Sequence, residues 1–486
     1  MATNKMQNKF SLDVGVIHFI GIGGIGMSGI AEILSNLGYK VQGSDSASSY
    51  VTQHLSDIGI KVMLGQKAEN IKGASVIVKS SAVKDDNPEI MAARAQHIPV
   101  IKRAEMLAEL MRLKSCVSVA GTHGKTSTTT MVTAIFDSAK LDPTVINGGI
   151  INSYGSNAHL GKGDWLVAEA DESDGSFLKL PSTIAIITNI DPEHLENYSG
   201  SFDVLRKAFR DFIENIPFYG FGVLCIDHPE VRDLWKKVTD RKIITYGIES
   251  SDANIKAENI QASPDGSKYD VRISGLGAEK DRLVSGIYLS MPGIHNVQNS
   301  LAAISIAAEL GFSDEEIRQA FSGFKGIKRR FTKTGEVGGI KIIDDYGHHP
   351  KEISATLKTA KQVVPSGKGN VIAVLQPHRF TRVRDLFNDF CSCFADADVV
   401  IVSEIYKAGE DPITGINMES LVKGIKDAGK KAVYPLNNAT DLAGLINEVA
   451  KAGDIVVCLG AGDITKWAGS LPEELAALGD RKIAAS

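Results

Sequence analysis

Cysteine is sparse in this chain, long apolar runs are missing, and no sustained basic segment occurs. Each absence excludes a class. Cys116, Cys225, Cys391, Cys393 and Cys458 are scattered and form no CxxC pair. A disulfide framework is therefore not expected, and a reducing compartment is. The first apolar run, Val16 to Ile20, is too short to span a membrane, and no small-residue cleavage site follows a proper apolar region. The chain reads as cytoplasmic, untargeted and without a membrane partner. Net charge is −5. With no basic run, nucleic acid is not an expected partner, because duplex binding depends on neutralising phosphates. A small anionic ligand stays open, since a few local cations and helix N-termini suffice for it.

What is present is an ordinary globular composition, 43% hydrophobic and 23% charged, over 486 residues. That length suggests two to four domains. Short apolar runs rich in β-branched residues recur: Val16–Ile20, Val76–Val78, Cys116–Ala120, Trp165–Ala168 and Ile184–Ile187, then Val371–Leu375, Val399–Val402 and Ile455–Leu459. Continuous runs of this kind suit parallel strands covered on both faces. Amphipathic stretches such as Ser28 to Leu37 and Ser300 to Leu310 suit crossover helices. The expected fold class is α/β. Breaks are expected near Arg112–Ser115 and near Gly323–Gly326. The stretch Ala253 to Ser290 alternates polar and apolar residues and is expected to form an antiparallel β insertion. No short repeat or low-complexity tract occurs.

The first glycine loop, Gly21-Ile-Gly23-Gly24-Ile-Gly26, follows a strand and opens a helix. Asp45 lies at the distance that places an acid on a ribose in dinucleotide folds. Glycines let the backbone turn tightly against a diphosphate, whose charge sits at the helix N-terminus. NAD, FAD and UDP-sugars all carry a diphosphate. On this loop alone an NAD-dependent dehydrogenase is the leading reading, and a purely structural βα turn is the bland one.

A second loop changes that reading. Gly121, Thr122, His123, Gly124, Lys125, Thr126 and Ser127 lie between the strand Cys116–Ala120 and an apolar helix. Backbone N–H groups of such a loop surround phosphate oxygens, Lys125 supplies a charge, and Thr126 offers a hydroxyl to Mg²⁺. Only two residues separate Gly121 from Gly124, so the loop departs from the common Walker spacing. Two acidic segments follow strands further on: Glu169-Ala-Asp171-Glu172-Ser-Asp174 and Asn189-Ile-Asp191-Pro-Glu193-His194. Acidic groups at successive strand ends, downstream of a phosphate loop, suit a hard cation better than mere solvation does.

Taken together, GTHGKTSTTT, AEADESDGSF and DPEHLE resemble the central ATPase domain of the Mur ligase family. Pro292-Gly-Ile-His295-Asn296-Val-Gln-Asn299 is similar to that family's adenine-contacting segment. Arg329-Arg330-Phe331, Asp344 to Pro350 and Gln376 to Arg384 match the C-terminal domain of its alanine-adding members. HFIGIGGIGMSGIAEIL with Gly43-Ser-Asp45 matches their UDP-binding domain. The resemblance runs from about Val16 to Trp467.

The resemblance implies three domains: Rossmann-like and UDP-sugar-binding over 1–112, a central P-loop ATPase with a mostly parallel sheet over 113–325, and a Rossmann-like domain over 326–486 that closes with the amino acid. It implies ATP and Mg²⁺ as cofactors and UDP-N-acetylmuramate, L-alanine and ATP as partners. The expected assembly is a monomer or weak homodimer. By motif, Gly121 to Ser127 hold the ATP phosphates, with His295, Asn296, Asn299 and Arg330 near the nucleotide. Thr126, Glu169 and His194 serve the metal. Gly21, Gly23, Gly24, Gly26, Asp45 and Ser81 fall to the UDP-sugar. Tyr346 and His348 line the amino-acid region. Lys125, His348, His378, Arg379 and Arg382 carry the chemistry. Two departures stand out. Glu193 occupies a position where sister families place Asp. Lys207 sits about two residues off the spacing of their carbamylated lysine and is not assigned that role.

The chemistry then expected is carboxylate activation. A carboxylate does not react with an amine at neutral pH; phosphorylation by ATP gives an acyl phosphate that does. His348 or His378 accepts the amine proton, and the sequence leaves that choice open. The nearest alternative is a ligase attaching a recovered tripeptide to the same UDP-sugar. A folylpolyglutamate synthase would share the P-loop style but leaves the first glycine loop without a reason.

Overall fold

The apolar runs become central strands, because only a strand flanked by two others and covered on both faces can bury every side chain. The computed structural model describes residues 14–80, 82–263, 265–277, 281–364 and 369–484. Its strands form three sheets. The first holds β1 (Val16–Ile20), β2 (Lys40–Asp45), β3 (Lys61–Leu64), β4 (Ala74–Lys79) and β5 (Val100–Lys102), in the order β3-β2-β1-β4-β5. All its pairings are parallel. The order reverses between β1 and β4, which makes the crevice beyond β1 the natural ligand position.

The second sheet is built from β6 (Ser115–Ala120), β7 (Thr144–Ile151), β8 (Ser156–His159), β9 (Trp165–Glu169), β10 (Ile184–Ile187), β11 (Phe221–Cys225), β12 (Lys242–Gly247), β13 (Ile255–Ser263), β14 (Gly266–Ile273) and β15 (Arg282–Leu289). Their order is β15-β14-β13-β12-β11-β10-β6-β9-β7-β8. The stretch Ala253 to Ser290 supplies the last three strands in sequence as consecutive sheet neighbours. Connections this short join antiparallel strands, since a parallel crossover needs a dozen residues or more. The third sheet has β16 (Thr332–Val337), β17 (Ile340–Asp345), β18 (Val371–Leu375), β19 (Val399–Ser403), β20 (Val433–Leu436) and β21 (Ile455–Leu459), ordered β16-β17-β21-β18-β19-β20. Only β16 pairs antiparallel here. Separate apolar clusters cover its two faces, one around Ile353, Leu357 and Phe394, the other around Ile446, Ile464 and Leu471.

The chain folds into two compact units. One takes in residues up to Asn259, Tyr269–Ile287 and Gln298–Gly326; the other takes Ile260–Lys268, Tyr288–Val297 and the chain from Ile327. The expected break near Gly323–Gly326 coincides with this division. The break near Arg112–Ser115 falls inside the first unit, between the helix Arg103–Met111 and β6. There the first two sheets share one apolar core that includes Ile30, Leu34, Ile146 and Leu166. The helix Ile25–Asn36 lies against β7 and β8. Gly29 permits this approach: a Cβ there would sit 3.1 Å from Ala158 Cβ. Asn157 seals the contact by donating to the Ile25 carbonyl at 2.6 Å.

Candidate active site

In the first unit, the Gly21–Gly26 loop turns directly after β1. Gly21 and Ile22 both donate to the Ser44 carbonyl, at 2.8 and 3.0 Å, which ties the loop to the end of β2. Asp45 braces the loop: its Oδ2 accepts the Gly23 N–H at 2.8 Å. A side chain at position 23 would collide with that carboxylate, its Cβ falling 2.9 Å from Oδ2. Beneath the loop, Glu89 is fully buried and accepts from His18, Ser44, Lys67 N and Asn70. Burial opposes its charge, but the donors hold it below the usual carboxylate range. Arg103 was not among the expected residues. A Cβ on Gly26 would sit 3.2 Å from Arg103 Cδ and 3.3 Å from Nη1, so a guanidinium stands beside the helix N-terminus that follows the loop. Its only sequence signal was its place at the end of β5. Ser81 lies outside the described residues.

The second loop follows β6. Gly121 has φ 130° and a Cβ there would fall 2.0 Å from Thr188 Oγ1, so no other residue fits. Gly124, at φ 83°, starts the helix Lys125–Ser138. That helix is rich in threonine, a modest helix former. It holds because Thr126 to Val132 are all buried and Thr130 and Thr133 return their hydroxyls to carbonyls four residues back. Lys125 Nζ donates to the Gly121 and Thr122 carbonyls and lies 3.0 and 2.8 Å from the two oxygens of Glu172. Burial disfavours the ammonium, yet Glu172 and Asp171 outweigh it and hold Lys125 charged.

Two acidic segments meet this loop because β6 lies between β10 and β9 in the sheet. Val119 pairs with Glu169, and Ala120 with Ile187. The carboxyl ends of the three strands are thus adjacent, about 5 Å apart strand to strand. Asn189 clasps His123 from both sides, its Oδ1 accepting from His123 N and its Nδ2 donating to His123 O. His123 Nε2 lies 3.1 Å from Glu193 Oε1 and 3.5 Å from Asp191 Oδ2. His228 Nε2 is 3.7 Å from Asp191 Oδ1; no motif pointed to it. Glu169 gives Oε1 to the Gly148 N–H at 2.8 Å. His194 has φ 55° and is about a third exposed. A hydroxyl from Thr126 and a carboxylate from Glu169 are the hard oxygen donors Mg²⁺ takes, and the imidazole of His194 stands at the neighbouring strand end. Lys207 points away, 72% exposed and paired with Asp211. Asn299 reaches the phosphate loop: a Cβ on Gly124 would be 2.9 Å from its Oδ1.

In the second unit, His295 and Asn296 lie in the first turn of the helix Ile294–Leu310, whose residues from Gln298 onward belong to the first unit. Asn296 donates to the Pro292 carbonyl at 2.7 Å, and its Oδ1 is buried without a partner among the described residues. Burial and then Arg330 lower His295 to about 4. Arg329 and Arg330 lie 4.9 and 5.4 Å from the ring centre of Tyr346. Arg330 also faces Asp345, which accepts from Phe331 N, Gly347 N and Thr356 Oγ1. His348 and His378 come together, ring centres 5.8 Å apart. Arg382 Nη1 reaches His378 Nδ1 at 3.4 Å, and Arg379 sits at φ 71°, with its N–H on the Tyr406 carbonyl.

Two residues here were not foreseen. Tyr406 stacks flat on His378, 5.5 Å away at 10°. Glu410 accepts from Thr381 N and Oγ1 and carries the charge that answers Arg379. Tyr406 comes shortly after β19, and the rule that ligands gather beyond strand ends was the one available signal. With Gln376, Asp463 and Trp467 it also lines a cavity of ≈ 630 Å³ beyond β18 to β20.

Comparison with known proteins gives the family. Residues 16–115 match the model for the Mur ligase family catalytic domain. Residues 119–307 match the Mur ligase middle domain, and 329–462 the Mur ligase glutamate ligase domain. A UDP-N-acetylmuramate–L-alanine ligase of Bradyrhizobium sp. strain BTAi1 is 58% identical over 467 residues, 96% of this chain and 99% of its own. One of the same name from Parvibaculum lavamentivorans is 57% identical over 98% of this chain and 96% of its own. Among solved structures, UDP-N-acetylmuramate–alanine ligase of Thermotoga maritima superposes with a TM-score of 0.80 at 31% identity, covering 95% of this chain and 99% of that one. A murein peptide ligase of Psychrobacter arcticus gives 0.70 at 26% identity, covering 95% and 98%. On three successive domain matches and a near full-length likeness, the chain belongs to the Mur ligase family.

Proposed function

We propose that this chain joins L-alanine to the carboxylate of UDP-N-acetylmuramate, at the expense of ATP and through an acyl phosphate. The observation that carries the reading is the 58% identity, across 96% of the chain, with a relative named for that reaction. The site geometry suits it. The Gly21–Gly26 loop, its helix N-terminus and Arg103 suit the UDP diphosphate. The loop Gly121–Ser127 wraps the ATP phosphates, with Lys125 placed to balance charge on the transferring phosphoryl group. Thr126, Glu169 and His194 would hold Mg²⁺, which when bound supplies charge neutralisation at the phosphates. His295, Asn296, Asn299 and Arg330 serve the nucleotide. Tyr346, His348, His378, Arg379 and Arg382 serve the acyl phosphate and alanine. A nicotinamide dehydrogenase would explain the first loop alone and leave Lys125, Glu172 and the two acidic segments without work. ATP and UDP-sugars are cytoplasmic metabolites, so the enzyme is assigned to the cytoplasm.

The test is ADP release with UDP-N-acetylmuramate against a panel of amino acids and a muramyl tripeptide. ADP is expected only with ATP, Mg²⁺ and the UDP-sugar together, with fast turnover needing L-alanine. A pocket separates one methyl group by about 1–3 kcal/mol, so glycine and L-serine are expected to substitute poorly. Preference for the tripeptide would shift the reading to murein peptide ligation, and rapid ADP release without UDP-sugar would remove it.

A further inference from the structure

The two facing histidines are held in opposite tautomers. At His348, Nδ1 lies 3.0 Å from the Tyr346 carbonyl oxygen and 3.5 Å from Glu352 Oε2. Both neighbours are acceptors, so Nδ1 carries the proton and Nε2 the lone pair. At His378, Nδ1 lies 3.4 Å from Arg382 Nη1. A guanidinium can only donate, so here Nδ1 has the lone pair and Nε2 the proton. The ring contacts of both histidines run through Nδ1, which leaves each Nε2 for a ligand. Both rings are also fixed in orientation. The backbone N–H of His348 donates to Glu352 Oε2 at 3.1 Å, which holds that carboxylate beside the ring. His378 is stacked on Tyr406, whose N–H donates to Pro377 O at 2.8 Å.

We propose that His348 is the general base, taking the amine proton at Nε2, whereas His378 donates its Nε2–H to an oxygen of the acyl phosphate. The proposal rests on the ligase reading above and resolves the choice the sequence left open. The amine lone pair forms the C–N bond while the carbonyl π pair moves to oxygen. The nitrogen is now positively charged, and one of its protons passes to His348 Nε2. The carbonyl re-forms, the C–O bond to phosphate breaks with its electron pair on the phosphate, and the imidazolium releases its proton to water. Burial, Arg382 and Arg330 depress the His348 ring while Glu352 opposes them. An anionic substrate answers both arginines and makes the ring more basic when it is needed.

The first experiment is ¹H–¹⁵N correlation of the imidazoles in the full-length, substrate-free protein at neutral pH, assigned with His348→Gln and His378→Gln. The expected result is Nδ1–H for His348 and Nε2–H for His378. The same tautomer at both positions, or the reverse, overturns the proposal. The second uses hydroxylamine, which is unprotonated at neutral pH and traps an acyl phosphate as a hydroxamate. His348→Gln is expected to lose alanine-dependent turnover by about 10²–10⁴-fold while keeping near wild-type hydroxamate formation. Equal losses with both nucleophiles would assign His348 to an earlier step and overturn the base role. His378→Gln places an amide N–H where Nε2–H lay. It is expected to stay within about tenfold of wild type, with His378→Ala well below it; equal loss in both overturns the donor role. If the wild type releases no ADP and forms no hydroxamate, the ligase reading and the base step fall together, and the tautomers still stand or fall on the resonance data.

Discussion

Lys125 and Glu172 form a charge pair at the phosphate loop, Nζ lying 3.0 Å from Oε1 and 2.8 Å from Oε2. The same ammonium donates to the carbonyls of Gly121 and Thr122. Glu172 thus keeps the cation folded along its own loop, in the position where phosphate oxygens would compete for it.

Removing one partner leaves the other charge largely buried and unanswered. Glu172→Gln is expected to lower stability by about 1–3 kcal/mol, less than for a fully isolated pair because Asp171 remains nearby. The double variant Lys125→Met with Glu172→Gln is expected to lose less than the two single losses added together. Urea denaturation of the four proteins measures this. Lys125→Ala alone is expected to abolish turnover, a loss on the order of several kcal/mol in the transition state. UDP-sugar binding by calorimetry is expected to survive it.

Asp45 braces Gly23 through Oδ2. An asparagine oxygen can accept that same N–H, and an alanine cannot. Asp45→Asn is therefore expected to keep the KM for UDP-N-acetylmuramate within a few-fold of wild type. Asp45→Ala is expected to raise it by about tenfold, the worth of a hydrogen bond to a charged acceptor. ATP kinetics are expected to move little in either. If Asn is as damaging as Ala, Asp45 acts on the ligand and not on the loop.

Arg382 touches His378 and lies on the short helix Phe380–Asp385, whose N-cap is Arg379. Arg382→Ala is expected to lower kcat by about 10²-fold, as loss of one oxyanion donor does, with ATP affinity by calorimetry little changed. Arg382→Lys is expected to rescue only in part, because an ammonium lacks the bidentate fork. A normal kcat with a raised KM for ATP would make Arg382 a nucleotide anchor.

Three histidines of the second unit are held neutral. Burial above all lowers His295 and His348 to about 4 and His378 to about 3, and nearby arginines act in the same direction. Unfolding returns each to its ordinary value of 6.5. Between pH 6.5 and about 4 the unfolded chain binds more protons, so stability falls as pH falls through that window. Each group contributes at most about 1.4 kcal/mol per pH unit. The urea midpoint is expected to drop from pH 7 to pH 4.5, and to drop less in His295→Gln. An unchanged slope in that variant would show that His295 titrates normally.

Much of the architecture was legible in the chain itself. Val16–Ile20, Ile184–Ile187, Val371–Leu375 and Ile455–Leu459 became strands with those bounds, because continuous β-branched runs have no other well-buried home. The edge strand Lys61–Leu64 escaped notice, because so short a run with no fully buried residue carries no clear period. Loops were legible where glycine spacing reports backbone geometry directly. Gly121 is one such position, where any side chain would strike Thr188.

What local sequence determined was therefore the α/β class, both glycine loops, and the acidic and basic segments that follow strands. What only the tertiary structure decided was which of those groups meet. The order β10-β6-β9 brings two acidic segments, both well downstream of the phosphate loop in sequence, to either side of it. Arg103 reaches Gly26, and Tyr406 reaches His378, across separations that no local pattern records. Tautomers follow the same logic. A histidine's two nitrogens are equivalent to a reader of sequence, and become distinct only when a carbonyl at Tyr346 or a guanidinium at Arg382 is placed beside one of them.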